Sequence, residues 1–295
     1  MVKTKIIEEK DEKIRILLTG TDRAFVNAIR RTLIAETPKM AIDKVRFEMG
    51  TIEQDGEVWE TNGPLPDEMI AQRLAMIPIP TVHDEFHFQD ECPECADLVA
   101  KDRGCPLCTM IYTCKEFGTE GGRMITAGDM GYLGEARLNI PEKYRSIPIT
   151  KLSRGQMIEF YATAIMGRGS EHAKWSPVCG TTFNQRKVGV LNNKTKAKIL
   201  WNLNLSIKAK DFDSGGRLED LEKVEQLVED LNHVGPGTEE SRDFKDAITL
   251  ENVDGEFILS FETDGSMAPR VAFERAIAEL SGRFGEIKED TTTVL

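Results

Sequence analysis

The chain has 295 residues, 40% hydrophobic and 30% charged, which is the composition of a folded globular protein of one to three domains. Its formal charge of −12 argues against a broad nucleic-acid-binding face, which is normally basic. No apolar run approaches the ~18 residues that a membrane-spanning helix needs. The opening stretch MVKTKIIEEKDEK lacks a secretory signal core, so a cytoplasmic, reducing location is expected.

In chain order, Ile14, Ile16 and Leu18 share one face and stop at Gly20, which predicts a strand over 13–18. Residues 21–49 then read as a helix followed by a strand. Thr21 or Asp22 caps the helix. Phe25, Ile29 and Leu33 repeat at intervals of four, with Val26 and Ile34 beside them. Pro38 ends the helix, and 41–49 alternates like a strand. By period alone this is an ordinary surface helix packed on a sheet. Asp67 opens a short helix with Met69, Ile70, Leu74 and Ile77 on its apolar side, stopped by Pro78. Residues 110–117 and 157–166 alternate as strands, while Pro141 and Pro148 break 138–152 into short strands and turns. Strands are expected near 188–191 and 199–207. An acidic helix over 218–231 carries Leu218, Leu221, Val224, Val228 and Leu231, and Gly235, Pro236 and Gly237 end it. Phe257, Leu259 and Phe261 alternate in a last strand. Ser266 is expected to cap a final helix in which Phe273, Ile277, Leu280 and Phe284 form a seam. Strands mixed with segregated helices indicate an α+β fold.

Cys92, Cys95, Cys105 and Cys108 form CxxC-x9-CxxC. Each pair is a tight knuckle that brings two thiolates to one ion, and two knuckles complete a tetrahedral S4 site suited to one structural zinc. Idle reduced cysteines are the plain alternative. A redox CxxC would need a thioredoxin-like βαβ setting that is absent. His83 and His87 lie near enough in sequence to replace a cysteine, although four thiolates already close the site. Cys114 and Cys179 read as small apolar residues, in a strand and a loop. Glu171, His172, Ala173, Lys174 and Trp175 bring acid, base and amine close in sequence. In extended backbone, however, neighbours point opposite ways, and no nucleophile is identifiable. No Asp-rich two-metal motif and no GxxxxGK[ST] loop is present, so no catalytic residue is assigned.

The string Ala24, Phe25, Val26, Asn27, Ala28, Ile29, Arg30, Arg31, Thr32 and Leu33, then Pro38 and Ala41 to Val45, resembles the dimerisation helix and strand of alpha-like RNA polymerase subunits. That family comprises the archaeal D-type, the eukaryotic third-largest and the bacterial alpha subunits. The block from Gly167 through Glu171, His172, Lys174, Trp175 and Pro177 is similar to its archaeal and eukaryotic form. So are Arg73 to Pro78 and the strand leading from Asp254 into Ser266. The resemblance covers most of the chain outside about 180–250.

It implies an alpha-like dimerisation domain from 1–50 and 251–295. It also implies an inserted mainly-β domain over 51–180 with the zinc loop, and a small degenerate ferredoxin-like or helical insertion over 181–250. Relatives hold an iron–sulfur cluster in that last region, but here it contains no cysteine, so no such cluster is expected. The implied function is non-catalytic assembly of DNA-directed RNA polymerase in transcription. The implied partners are an L subunit as heterodimer mate, the large catalytic subunits and the small N and P subunits, with DNA met only through the complex and no membrane contact. Phe25, Ile29, Leu33, Phe273, Ile277, Leu280 and Phe284 would form the dimer interface. Arg30, Arg31, Glu171, His172, Lys174 and Trp175 would contact a large subunit. A free-standing zinc-binding adaptor, or a zinc or thiol enzyme, are the readings from other classes.

Overall fold

The protein is described by a computed structural model covering residues 2–54 and 56–294. It begins with β1 (Lys3–Glu9) and β2 (Lys13–Thr19). Ile14, Ile16 and Leu18 of β2 are buried, as their alternation predicts. β1 is mostly exposed and has Ile6 next to Ile7, so it gave no period-two signal. In α1 (Arg23–Ala35) the cap is Asp22, whose Oδ1 accepts the Phe25 N–H at 2.8 Å. The helix closes where the N–H and hydroxyl of Thr37 both donate to the Thr32 carbonyl, just before Pro38.

The strands β3 (Lys39–Phe47), β4 (Thr51–Gln54) and β5 (Glu57–Glu60) follow, then α2 (Asp67–Ala75). Ile70 and Leu74 are buried on α2, but Met69 is exposed rather than on the apolar side. Next come β6 (Thr109–Phe117), β7 (Arg123–Thr126), β8 (Gly131–Tyr132), β9 (Pro148–Leu152), β10 (Met157–Gly167) and β11 (Val178–Leu191). The chain ends through α3 (Lys194–Asn202), β12 (Arg217–Leu218), α4 (Leu221–Leu231), α5 (Ser241–Phe244), β13 (Ile248–Thr263) and α6 (Pro269–Val294).

Helices and antiparallel sheets are thus mixed, as an α+β fold requires. The largest sheet has the order β1-β2-β13-β11-β12, and a second has β3-β10-β6-β8. β10 pairs antiparallel with β3 and β6, and Phe160, Ala162 and Ala164 line its buried face.

Four local expectations are corrected. Residues 199–207 are not a strand. Asn193 caps α3 by accepting the N–H groups of Thr195 and Lys196, and Ala197 and Leu200 bury at helical spacing. The alternation of Ile199, Trp201, Leu203 and Leu205 was misleading because three of these are only half-buried and Leu203 is exposed. Leu218 belongs to β12, and α4 begins after Asp220, whose Oδ1 accepts the Lys223 N–H. Residues 138–145 form single 3-10 turns, since Pro141 has no N–H to give a ladder. Ser266 does not cap the last helix. Its N–H and hydroxyl go to Asp264 Oδ1, and Pro269 takes the first helical position.

The chain divides into two compact units. One is built on Asn27–Thr182 with Ile7–Arg15 and the segment from Ser260. The other is built on Phe183–Leu259 with Ile16–Val26 and the segment up to Ile6. The core of the first gathers Phe160, Tyr112, Met110, Leu74, Ile149 and Leu152. The second has its own core, including Ala197, Leu200, Leu227 and Phe244.

One close approach in the first unit is testable. A Cβ on Gly169 would lie 2.1 Å from the Ile34 carbonyl oxygen, beside the Ser170 N–H bond to Ala35 O at 2.8 Å. Gly169→Ala is therefore expected to cost about 1–3 kcal/mol in denaturant midpoint analysis, because backbone must move to admit it.

Candidate functional site

The cysteine site is built from two turns. In the first, the N–H of Cys95 donates to Cys92 O at 3.1 Å; in the second, that of Cys108 donates to Cys105 O at 3.1 Å. Gly104, at φ +149°, supplies the reversal before the second turn where a side chain would be strained. Arg103 staples the loop by donating to the carbonyls of Leu98 and Ala96.

The four Sγ atoms lie within 4.8 Å of one another. The Cys92–Cys105, Cys105–Cys108 and Cys95–Cys108 separations are 3.4, 3.7 and 3.8 Å. A tetrahedral ion with bonds of about 2.3 Å needs edges of about 3.8 Å, so the donor set fits a thiophilic cation. All four thiols are free, and three of them are buried. Backbone N–H groups of Gly104 and Cys105 hold the Cys95 thiol down to about 7, whereas burial pushes Cys105 and Cys108 up. Four neighbouring thiolates repel, so a cation at their centre is what lets them ionise together.

Neither nearby histidine is part of the cluster. His83 Nε2 meets Pro38 O at 2.9 Å, and burial lowers its pKa. His87 lies outside the four-residue cluster. Cys114 is buried in β6 with its thiol pushed up to about 12 by burial, which makes it an inert small side chain. Cys179 is exposed and sits on β11 rather than in a loop.

The residues expected at a large-subunit contact separate into two groups. Arg31, Glu171 and His172 are exposed and Arg30 is half-buried, its Nε donating to Asn27 Oδ1. Lys174 and Trp175 are buried. Lys174 Nζ pairs with Asp43 Oδ1 at 2.7 Å and lies 4.1 Å from the Trp175 ring, while Trp175 Nε1 donates to Ile165 O. These two side chains are engaged inside the chain and are not offered to a partner. His172 Nδ1 accepts the Lys174 N–H at 3.0 Å, so its ring nitrogen serves the local turn.

Sequence reasoning missed the other half of this network. Lys39, 4% exposed, donates from Nζ to Lys174 O at 2.8 Å and pairs with Asp264, which also holds Ser266. Two buried lysines, each with its own aspartate, thereby bind the start of β3 to the 173–175 turn and to the end of β13. Hydropathy carries no signal for a buried lysine; only the adjacency of Pro38 and the Asp264–Gly265 turn hinted at constrained backbone. Lys39→Met is expected to destabilise by about 3–5 kcal/mol in a denaturant titration, since it strands the Asp264 charge.

The seam residues also separate. Ile29 and Leu33 are fully buried within the chain itself and have no surface left to give. Phe25, Phe273, Ile277 and Leu280 are half-buried, and Phe284 is 58% exposed. α6 is tethered by Arg168–Glu279 at 2.9 Å, Arg275–Asp84 at 2.6 Å, Arg270–Glu9 at 2.8 Å and Arg283–Glu36.

Among known proteins, the family model for the RNA polymerase Rpb3/Rpb11 dimerisation domain matches residues 15–284. A Picrophilus torridus protein named DNA-directed RNA polymerase subunit Rpo3 is 30% identical over 286 residues, spanning 96% of this chain and 97% of its own length. The Thermoplasma volcanium protein of the same name is 30% identical over 295 residues, spanning 98% of each. The DNA-directed RNA polymerase II subunit rpb3 of Dictyostelium discoideum is 36% identical over 196 residues, 64% of this chain and 59% of its own length.

Proposed function

The chain belongs to the RNA polymerase Rpb3/Rpb11 dimerisation-domain family, and from that membership we propose how it serves assembly of the enzyme. It is an Rpb3-like subunit of the archaeal type, a non-catalytic assembly subunit of DNA-directed RNA polymerase. Its dimerisation domain implies a partner within the complex. That partner is an L-type subunit, and the pair forms the platform for the large catalytic subunits and the small N and P subunits. The observation that carries this reading is α6, a 26-residue helix whose seam runs from half-buried Phe273 out to exposed Phe284. An uncovered aromatic continuing a packed seam is what a core shared between two chains looks like from one side.

Arg30, Arg31, Glu171 and His172 face a large subunit, where arginine's paired donors suit carboxylates. The dimerisation domain comprises 1–50 and 251–295, and 51–180 is an inserted mainly-β domain. The separate core around Leu200, Leu227 and Phe244 supports treating 181–250 as a cluster-free insertion of its own. The ion held by Cys92, Cys95, Cys105 and Cys108 is one structural zinc, which crosslinks the loop; four protein thiolates leave no position open for chemistry. The complex works in the cytoplasm, and no helix among the described residues is long and apolar enough to cross a membrane.

Native mass spectrometry of the assembled polymerase, with metal analysis of the same sample, tests this reading. The expected result is one copy of this chain bound to one L-type subunit. Purified alone, the chain is expected to show no template-dependent RNA synthesis; synthesis by a polymerase-free preparation would overturn the assembly role.

A further inference from the structure

Between Glu171 and Asp211 the sequence contains no aspartate or glutamate, although the chain holds 50 such residues in 295. The same interval holds eight lysines and arginines, a local reversal of the overall acidic balance. Three of them, Lys194, Lys196 and Lys198, are exposed on α3, which has no acidic residue in its first turn. This placement works against the helix. Cations at a helix N-terminus oppose its dipole, and Lys194 and Lys198 repel at a spacing of four. Packing does not demand them, because Ala197 and Leu200 supply the buried contacts of α3. Two other cations of this unit are paired, Arg186 with Glu256 and Lys223 with Asp211. Among the described residues, the three α3 lysines have no ion-pair partner, even though α5 with Asp243 packs against the same helix.

We propose that the exposed lysine face of α3 binds nucleic-acid backbone phosphate, with duplex DNA as the ligand. This rests on the assignment to a DNA-directed polymerase, in which the abundant polyanion is the template duplex. Lysines act on phosphate as point charges, so the contact is independent of sequence. The single aromatic of α3, Trp201, is half-buried in the core of its unit and offers no stacking platform, which favours a duplex over a single strand. Lys187 and Lys210 are also exposed in this unit.

The test is fluorescence anisotropy of the full chain with a fluorescein-labelled DNA duplex, titrated at several salt concentrations. The wild type should bind weakly, with a dissociation constant of about 10⁻⁴ to 10⁻⁶ M, and lose affinity steeply as salt rises. Lys194→Gln, Lys196→Gln and Lys198→Gln together should lower the log–log salt slope by about 2–3, with each single change contributing about 1. The melting temperature of the triple variant should stay level or rise, because the substitutions remove charges that oppose the helix dipole. An unchanged slope, no binding at low salt, or equally tight lysine-dependent binding of polyglutamate would overturn the proposal. A triple variant that still assembles into polymerase but keeps the wild-type slope would remove this inference and leave the assembly role standing. A wild-type chain that never enters a polymerase would instead remove the assembly role.

Discussion

Replacing Cys105 and Cys108 by serine is expected to abolish metal retention and unlock residues 89–108 while the rest of the chain stays folded. The wild type should carry about one zinc per chain and no stoichiometric iron. The loop has almost no apolar core besides the cysteines, whose cluster is Cys92, Cys95 and Cys108 with Cys105 against it. Structural zinc supplies about 10–16 kcal/mol of apparent binding energy in small sites, so nothing else in this loop replaces it. On its two sides the chain is anchored independently: Phe86 packs in the main core on one side, and Met110 and Tyr112 of β6 on the other. Hydrogen exchange should therefore rise sharply between these anchors and little beyond them. Protons compete with the ion for the thiolates. The thiolates must be deprotonated to hold the ion, so acidification promotes release and rising pH favours binding. Stoichiometric iron, or full zinc retention in the double serine variant, would overturn the assignment.

Phe284→Asp is expected to break pairing with an L-type subunit without unfolding the chain. At 58% exposure the phenylalanine has little to lose within its own chain, so the melting temperature of the isolated variant should match the wild type. In a shared core the introduced carboxylate is buried without a partner, at a cost of about 3–5 kcal/mol, or roughly 10²–10⁴-fold in affinity. Co-expression followed by size measurement reads this directly as loss of the one-to-one complex. Ile29→Asp is the contrasting variant. Ile29 is 1% exposed in the chain alone, so it should lower the chain's own stability and lose pairing only as a consequence. A wild-type chain that remains a monodisperse monomer in the presence of the L-type subunit would rule out the pairing mechanism.

Local pattern determined much of this protein from sequence alone. Period two placed β2 and β10, and period three to four placed α1 and α6, because backbone geometry repeats at those intervals whatever surrounds it. The CxxC knuckles brought four thiols within 4.8 Å because each pair is closed by its own short turn. Period identifies which face of an element is apolar but not what covers it. The tertiary structure alone separated Ile29 and Leu33, buried inside the chain, from Phe284 on the same predicted interface. It alone showed that Lys174 and Trp175 are internal, and that Lys39 and Asp264 join them across 225 residues of sequence. A buried ion pair has no hydropathy signature, since its stability comes from a partner distant in the chain. For the same reason the 199–207 strand failed: a local alternation of half-buried residues was overruled by the Asn193 cap and by the core that receives Ala197 and Leu200.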